Sequence, residues 1–219
     1  SGLSFDRVNN LGETPFTTGM RALIAKQGRD ARCWTWMFSM SCFDPDARNS
    51  KGETLLEIAA YNQCPVLVRQ LLQQGAYADA RTSVGGGTVL HMAAGVGILR
   101  MLDELLECPI ITVNARDASD MIPIEVALRN HNLRVVGKLA QEGAWINARP
   151  AGRERGTLVH VAVELNDMQM VRTLLLVEQY GCYMFDRSVE DANGRTAQQL
   201  AWHLGYTHIA GMEQWAVAE

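Results

Sequence analysis

The chain has 219 residues, 47% of them hydrophobic and 20% charged, which excludes disorder for most of its length. A formal net charge of -4 gives no overall attraction to a phosphate backbone, so no nucleic acid is expected as a partner. Arg, Asp, Glu or Gln breaks every apolar run before the roughly 18 residues of a membrane span, so no membrane insertion is expected either.

In chain order, six segments open on comparable residues: Thr14 in GETPF, Thr54 in GETLLEIAA, Thr88 in GGTVLHMAA, Ile122 in MIPIEVAL, Thr157 in GTLVHVAV and Thr196 in GRTAQQLAW. The steps between these anchors are 40, 34, 34, 35 and 39 residues, and a period of that size marks a repeat array. Five residues past each anchor stands a small residue: Gly19, Ala59, Ala93, Ala127, Ala162 and Ala201. A helix bearing a small residue at a fixed place lets a neighbouring helix approach closely.

The first unit, residues 1–48, has Gln27 and Gly28 where aliphatics are due, so its second helix is expected to start late. Its run from Cys33 through Trp34 and Trp36 to Phe43 is the most apolar and aromatic in the chain. It reads as a lengthened capping helix packed on the next unit, or as an exposed docking patch. In the second unit (49–81) Leu67, Val68, Leu71 and Leu72 form one face of an amphipathic helix. Met101, Leu102, Leu105 and Leu106 do so in the third (82–116), and Val135, Val136, Leu139 and Ala140 in the fourth (117–149). The fifth (150–187) has Met170, Val171, Leu174 and Leu175, and its turn Gly181 comes late, which predicts a longer outer helix. In the sixth (188–219) Glu213 and Gln214 replace the paired aliphatics, so it reads as a C-terminal cap. Each unit is therefore expected to be two helices, a turn and an extended finger.

These residues resemble the ankyrin repeat, whose pattern runs T-P-L-H-x-A-A and later L-L-x-x-G-A-x-x-N-A; GAYADAR, PIITVNAR, GAWINAR and the drifted GCYMFDR are the matching turns. The resemblance implies an all-α ankyrin-repeat solenoid of about six stacked helix-turn-helix units with hairpin-like fingers, degenerate at both ends. It implies that His91 and His160, at the family's histidine, bond the neighbouring loop rather than a ligand. It also implies that the variable positions, on the concave face and finger tips, meet a partner protein. Carried over residue by residue these include Lys51, Tyr61, Asn62, Val96, Met121, Arg129, Asn130, Arg153, Arg155, Glu164, Leu165 and His203. Met121 and Arg129 are expected to be replaceable without loss of folding.

No nucleophile with a base, paired carboxylates or metal cluster is visible, so the chain is read as no enzyme, with no cofactor and no metal. His203 and His208 are five apart, not the four that puts two ligands on one helical face. Gly85-Gly86-Gly87 lacks a following Lys-Ser or Lys-Thr and reads as a finger tip. The polar tip from Arg149 to Gly156 is a solvated hairpin or a grip for a carboxylate or phosphate. Five cysteines, never closer than nine positions, suggest a reducing compartment and a cytoplasmic location. The opening Ser1-Gly2 reads as the remnant of a protease cleavage, with any targeting signal cut away.

The reading that follows is a non-catalytic module that binds another protein. Two roles fit it: a bacterial effector engaging a host protein in the host cytosol, or an endogenous adaptor or inhibitor. A recognition domain of a larger enzyme is the alternative from another class. The chain is expected to be a monomer, with self-association through the Trp34 to Phe43 run as the other possibility.

Overall fold

The computed structural model describes residues 18, 38, 43–49, 51–83, 85–152, 156–176 and 186–215. Among these the helices are α1 (Leu55–Tyr61), α2 (Pro65–Gln73), α3 (Val89–Val96), α4 (Leu99–Leu106) and α5 (Pro123–Arg129). They continue with α6 (Leu133–Gln141), α7 (Leu158–Glu164), α8 (Met168–Leu176), α9 (Ala197–His203) and α10 (Thr207–Ala210), before a 3-10 turn at Glu213–Trp215. Extended pairing among the described residues is limited to the isolated bridges Arg48 with Thr54 and Glu190 with Thr196, at the bases of two fingers.

The first helix of a repeat starts and stops on local signals. Thr54 and Thr196 are extended N-caps in capping boxes: each accepts at its hydroxyl from the backbone three residues on and donates its own N–H to that residue's side chain, Glu57 or Gln199. In α5, Pro123 takes over, its ring preset for the first turn where no N–H is needed. These helices all end in the same way. The residue nine past the anchor is left-handed in every case, whether Gln63, Gly97, His131, Asn166 or Gly205, and this turn sends the chain back as the second helix.

The second helices bury the expected stripe. In α6 and α8 all four aliphatic positions are buried; in α2 and α4 the first three are, while Leu72 and Leu106 are half-buried. The anchor-plus-five alanines Ala59, Ala93, Ala127, Ala162 and Ala201 are completely inaccessible. With a side chain of one methyl they let backbones close up, and a larger residue there would overpack the interior.

The chain divides into two compact units. The first takes in Ser1–Ala93 with Ile98–Thr112, the second Ala94–Gly97 with Val113–Glu219, so the boundary runs through α3. In the first unit α1 packs on α2 and α2 on α4. In the second, α5 with α6, α7 with α8 and α9 with α10 form hairpins; first helices stack on first helices and second on second. The approach is close: a Cβ built on Gly95 would lie 3.3 Å from Val126 Cγ1. Asn132 fastens the same junction by donating to the Ala94 and Gly95 carbonyls (2.8 and 2.9 Å), which satisfies orphan acceptors at the end of α3.

The sixth repeat is closed by a residue the pattern did not flag. Trp215 is buried and its indole Nε1 donates to the Ile209 carbonyl at 2.7 Å. Of the aromatic run, Phe38 and Phe43 are described, with rings edge to face at 5.1 Å. The rest of that run, and the expected lengthening of the fifth repeat, lie outside the described residues.

Candidate functional site

A finger must be held to its repeat, and the residue three past the anchor does this. In repeats 3 and 5 it is histidine. His91 Nδ1 accepts from the Thr88 N–H and His160 Nδ1 from the Thr157 N–H, both at 3.0 Å. Since Nδ1 accepts, the proton of His160 sits on Nε2, which donates to the Arg195 carbonyl of the following loop at 3.2 Å. Both rings are buried, and the loop-bonding role implied for them holds for His160. In repeats 2 and 4 the same position is a buried glutamate. Glu57 accepts from the Ser83 N–H (3.0 Å) and hydroxyl (3.1 Å), and Glu125 from the Ala151 N–H at 3.0 Å. Each carboxylate also has an arginine, Arg48 at 3.5 Å and Arg129 at 2.7 Å.

In the first unit these supports leave a groove of about 430 Å³ at the exposed side of α1. It is lined by Ile58, Tyr61 and Met92, with Lys51, Glu53, Asn62 and Ser83 among its polar residues. The structure thus brings together three of the sequence candidates, Lys51, Tyr61 and Asn62. Tyr61 is 77% exposed, an unusual position for an aromatic ring with no covering element among the described residues. Asn62 is partly committed, since its amide donates to the Ile58 carbonyl at 2.7 Å.

In the second unit the candidates fall into three kinds. Val96 and Leu165 are exposed apolar side chains at equivalent helix ends, and Leu204 continues the set in repeat 6. Glu164 and His203 are exposed as well, and Met121 is half-buried at a finger. Arg129 and Asn130 are engaged internally. Asn130 caps the Val126 carbonyl, and the Arg129 guanidinium grips the buried Glu125 through Nε and a terminal nitrogen. The expectation that Arg129 is replaceable without cost to folding therefore needs correcting: its charge balances a carboxylate that is out of water. Arg153 and Arg155 lie outside the described residues. Trp202 was not among the candidates, yet it is 57% exposed where Ala60, Ala94, Leu128 and Val163 are fully buried in repeats 2 to 5. Its signal was a tryptophan at a position otherwise held by small or aliphatic residues.

Electrostatics tune the supports of the second unit. Burial would raise the Asp167 carboxyl, but hydrogen bonds from His131 (2.7 Å) and the Met170 N–H, with the nearby imidazole, leave it below the usual carboxylate range. Asp191 is likewise opposed by burial and lowered by the Arg195 and Asn193 N–H groups and the Arg195 guanidinium. Both carboxylates are fixed as structural anions. Among the described residues no group of three or more His, Cys, Asp or Glu is arranged to hold a metal, and no helix is long and apolar enough to cross a membrane.

Comparison with known proteins agrees with this architecture. The family model described as "Ankyrin repeats (3 copies)" matches residues 20–117 and 56–150. NF-kappa-B inhibitor delta of Mus musculus is 28% identical over 177 residues, covering 71% of this chain and 53% of its own length. Alpha-latrotoxin-Lg1a of Latrodectus geometricus is 28% identical over 175 residues, 80% of this chain but 12% of the toxin, so the chain spans only a small part of that relative. The crystal structure of the ankyrin repeat domain of Bcl-3, described as a unique member of the IkappaB protein family, superposes with a TM-score of 0.75. It is 24% identical, over 90% of this chain and 83% of that one, which supports the fold. With the repeat period, the buried alanines and the family model in agreement, the chain belongs to the ankyrin-repeat family and has its all-α solenoid fold.

Proposed function

We propose that the chain is a non-catalytic interaction module that binds a partner protein through the first-helix side and fingers of its repeats. The observation that carries this reading is the groove of the first unit, where an exposed tyrosine, a lysine and an apolar recess meet. Aromatic side chains in such settings commonly dominate binding energy. The fingers that frame it are already braced by buried side chains, so little ordering entropy is lost on association.

The likeness to an inhibitor named for NF-kappa-B supports the role of adaptor or inhibitor acting within its own cell, in preference to that of a delivered effector. A second reading has its own support. Because the chain spans only 12% of the matched toxin, it can serve as the recognition part of a larger protein.

Substitution of Tyr61 by Ala in the full chain tests the site. Affinity capture from cytosol with quantitative mass spectrometry should show at least one partner whose recovery falls about tenfold or more, with the melting temperature unchanged. Capture of the same proteins in equal amounts by the variant would remove the first-unit groove from the binding surface.

A further inference from the structure

Resting on the protein-binding reading above, we propose that the first-unit groove recognises an extended protein segment bearing one large apolar side chain with a single carboxylate beside it. The recess supplies the apolar half. Ile58 and Met92 with Tyr61 line a space of about 430 Å³, within the roughly 300–1,000 Å³ typical of small-ligand pockets and so ample for one large side chain.

The polar half follows from which groups are already used. Glu57 is saturated by Ser83, the Thr54 N–H and Arg48. Glu53 holds the Asn49 amide at one oxygen, and the Asn62 amide donates to the Ile58 carbonyl. The Lys51 ammonium and the Tyr61 hydroxyl make no hydrogen bond to the described residues, while the second Glu53 oxygen and the Asn62 carbonyl oxygen stay on the rim as acceptors. Two uncommitted donors beside an apolar recess are complemented by an acceptor next to an apolar group, and the ammonium makes a carboxylate the best such acceptor. Glu53 shares the rim and repels further negative charge, so the groove suits one carboxylate rather than an acidic run.

The test uses the full chain and three capped dipeptides: acetyl-Leu-Asp-amide, acetyl-Leu-Lys-amide and acetyl-Ala-Asp-amide. Binding is read from the methyl resonances of Met92 and Ile58 and the ring signals of Tyr61. The Leu-Asp peptide is expected to shift them saturably, with a dissociation constant on the order of millimolar for so small a ligand. The other two should bind about fivefold or more weakly, and Lys51→Glu should reverse the preference between the Asp and Lys peptides.

Equal binding of the Asp and Lys peptides, or equal binding of the Leu and Ala peptides, would overturn the proposal, as would the lack of any saturable shift at Met92 and Ile58. None of these outcomes touches the Tyr61→Ala capture result, which reports whether that side of the repeats binds a protein at all.

Discussion

In repeats 2, 4 and 6 the finger closes on its own side chain. Asn49 accepts from the Lys51 and Glu53 N–H groups, Asp117 from Ser119 and Met121, and Asp191 from Asn193 and Arg195. In repeats 3 and 5 the equivalent stretch carries Ser83 or Ala151-Gly152, and no such brace is formed among the described residues; the Ser83 or Ala151 N–H is taken instead by a glutamate of the preceding repeat, Glu57 or Glu125. The complement appears one step further on. The finger of repeat 6 closes itself and offers a carbonyl, Arg195 O, and the preceding repeat meets it with a histidine donor, His160. The same helical position is thus an acceptor toward the next loop in repeats 2 and 4 and a donor toward it in repeat 5. The lesson is that a repeat residue is selected by its neighbour's needs as much as by its own helix.

Breaking the externally held finger should have the largest effect. Glu125→Ala deletes the acceptor for the Ala151 N–H, frees Arg129 and opens a hole in a fully buried site; about 3 kcal/mol of stability should be lost in urea denaturation. A change within experimental error would mean that the finger of repeat 5 holds itself after all.

Polarity is the next point to probe. His160→Glu sets a carboxylate against the Arg195 carbonyl in a buried position and should cost about 2 kcal/mol, whereas His160→Gln, which keeps both an acceptor and a donor, should recover much of it. Similar losses for the two variants would show that packing, not donor direction, sets this residue.

The smallest effect belongs to a self-closing finger and depends on pH. Asp191 titrates below an unfolded aspartate, so its anion adds stability above the ordinary pKa of about 3.9, and that contribution disappears as the pH falls through the lowered value. Asp191→Asn should therefore be about 1 kcal/mol less stable at pH 7, with the gap to the parent chain closing below about pH 4. A gap that stays constant from pH 7 to pH 3 would contradict the role of the charge.

Much of this was legible beforehand for a physical reason. The alanines at 59, 93, 127, 162 and 201 and the aliphatic stripes of α6 and α8 recur because burial and close approach tolerate few alternatives, so the same letters reappear at the same phase. The proposed binding side was legible only in part. Lys51, Tyr61 and Asn62 do converge on one groove, but Arg129, chosen as a variable surface residue, is the counter-charge of Glu125, and Asn130 caps its own helix. A variable position can serve solvent, a partner or an internal brace, and the letters are the same in each case.

The amino-acid order alone determined the period, the two-helix unit and the residues that face inward, since these rest on spacing along a helix and on the hydrophobicity of single side chains. Which polar residues are spent on holding fingers, and which make no hydrogen bond among the described residues at the groove, was decided by tertiary structure. Glu57 meets Ser83 across 26 residues and His160 meets Arg195 across 35, and a hydrogen bond exists only where folding brings donor and acceptor within about 3 Å.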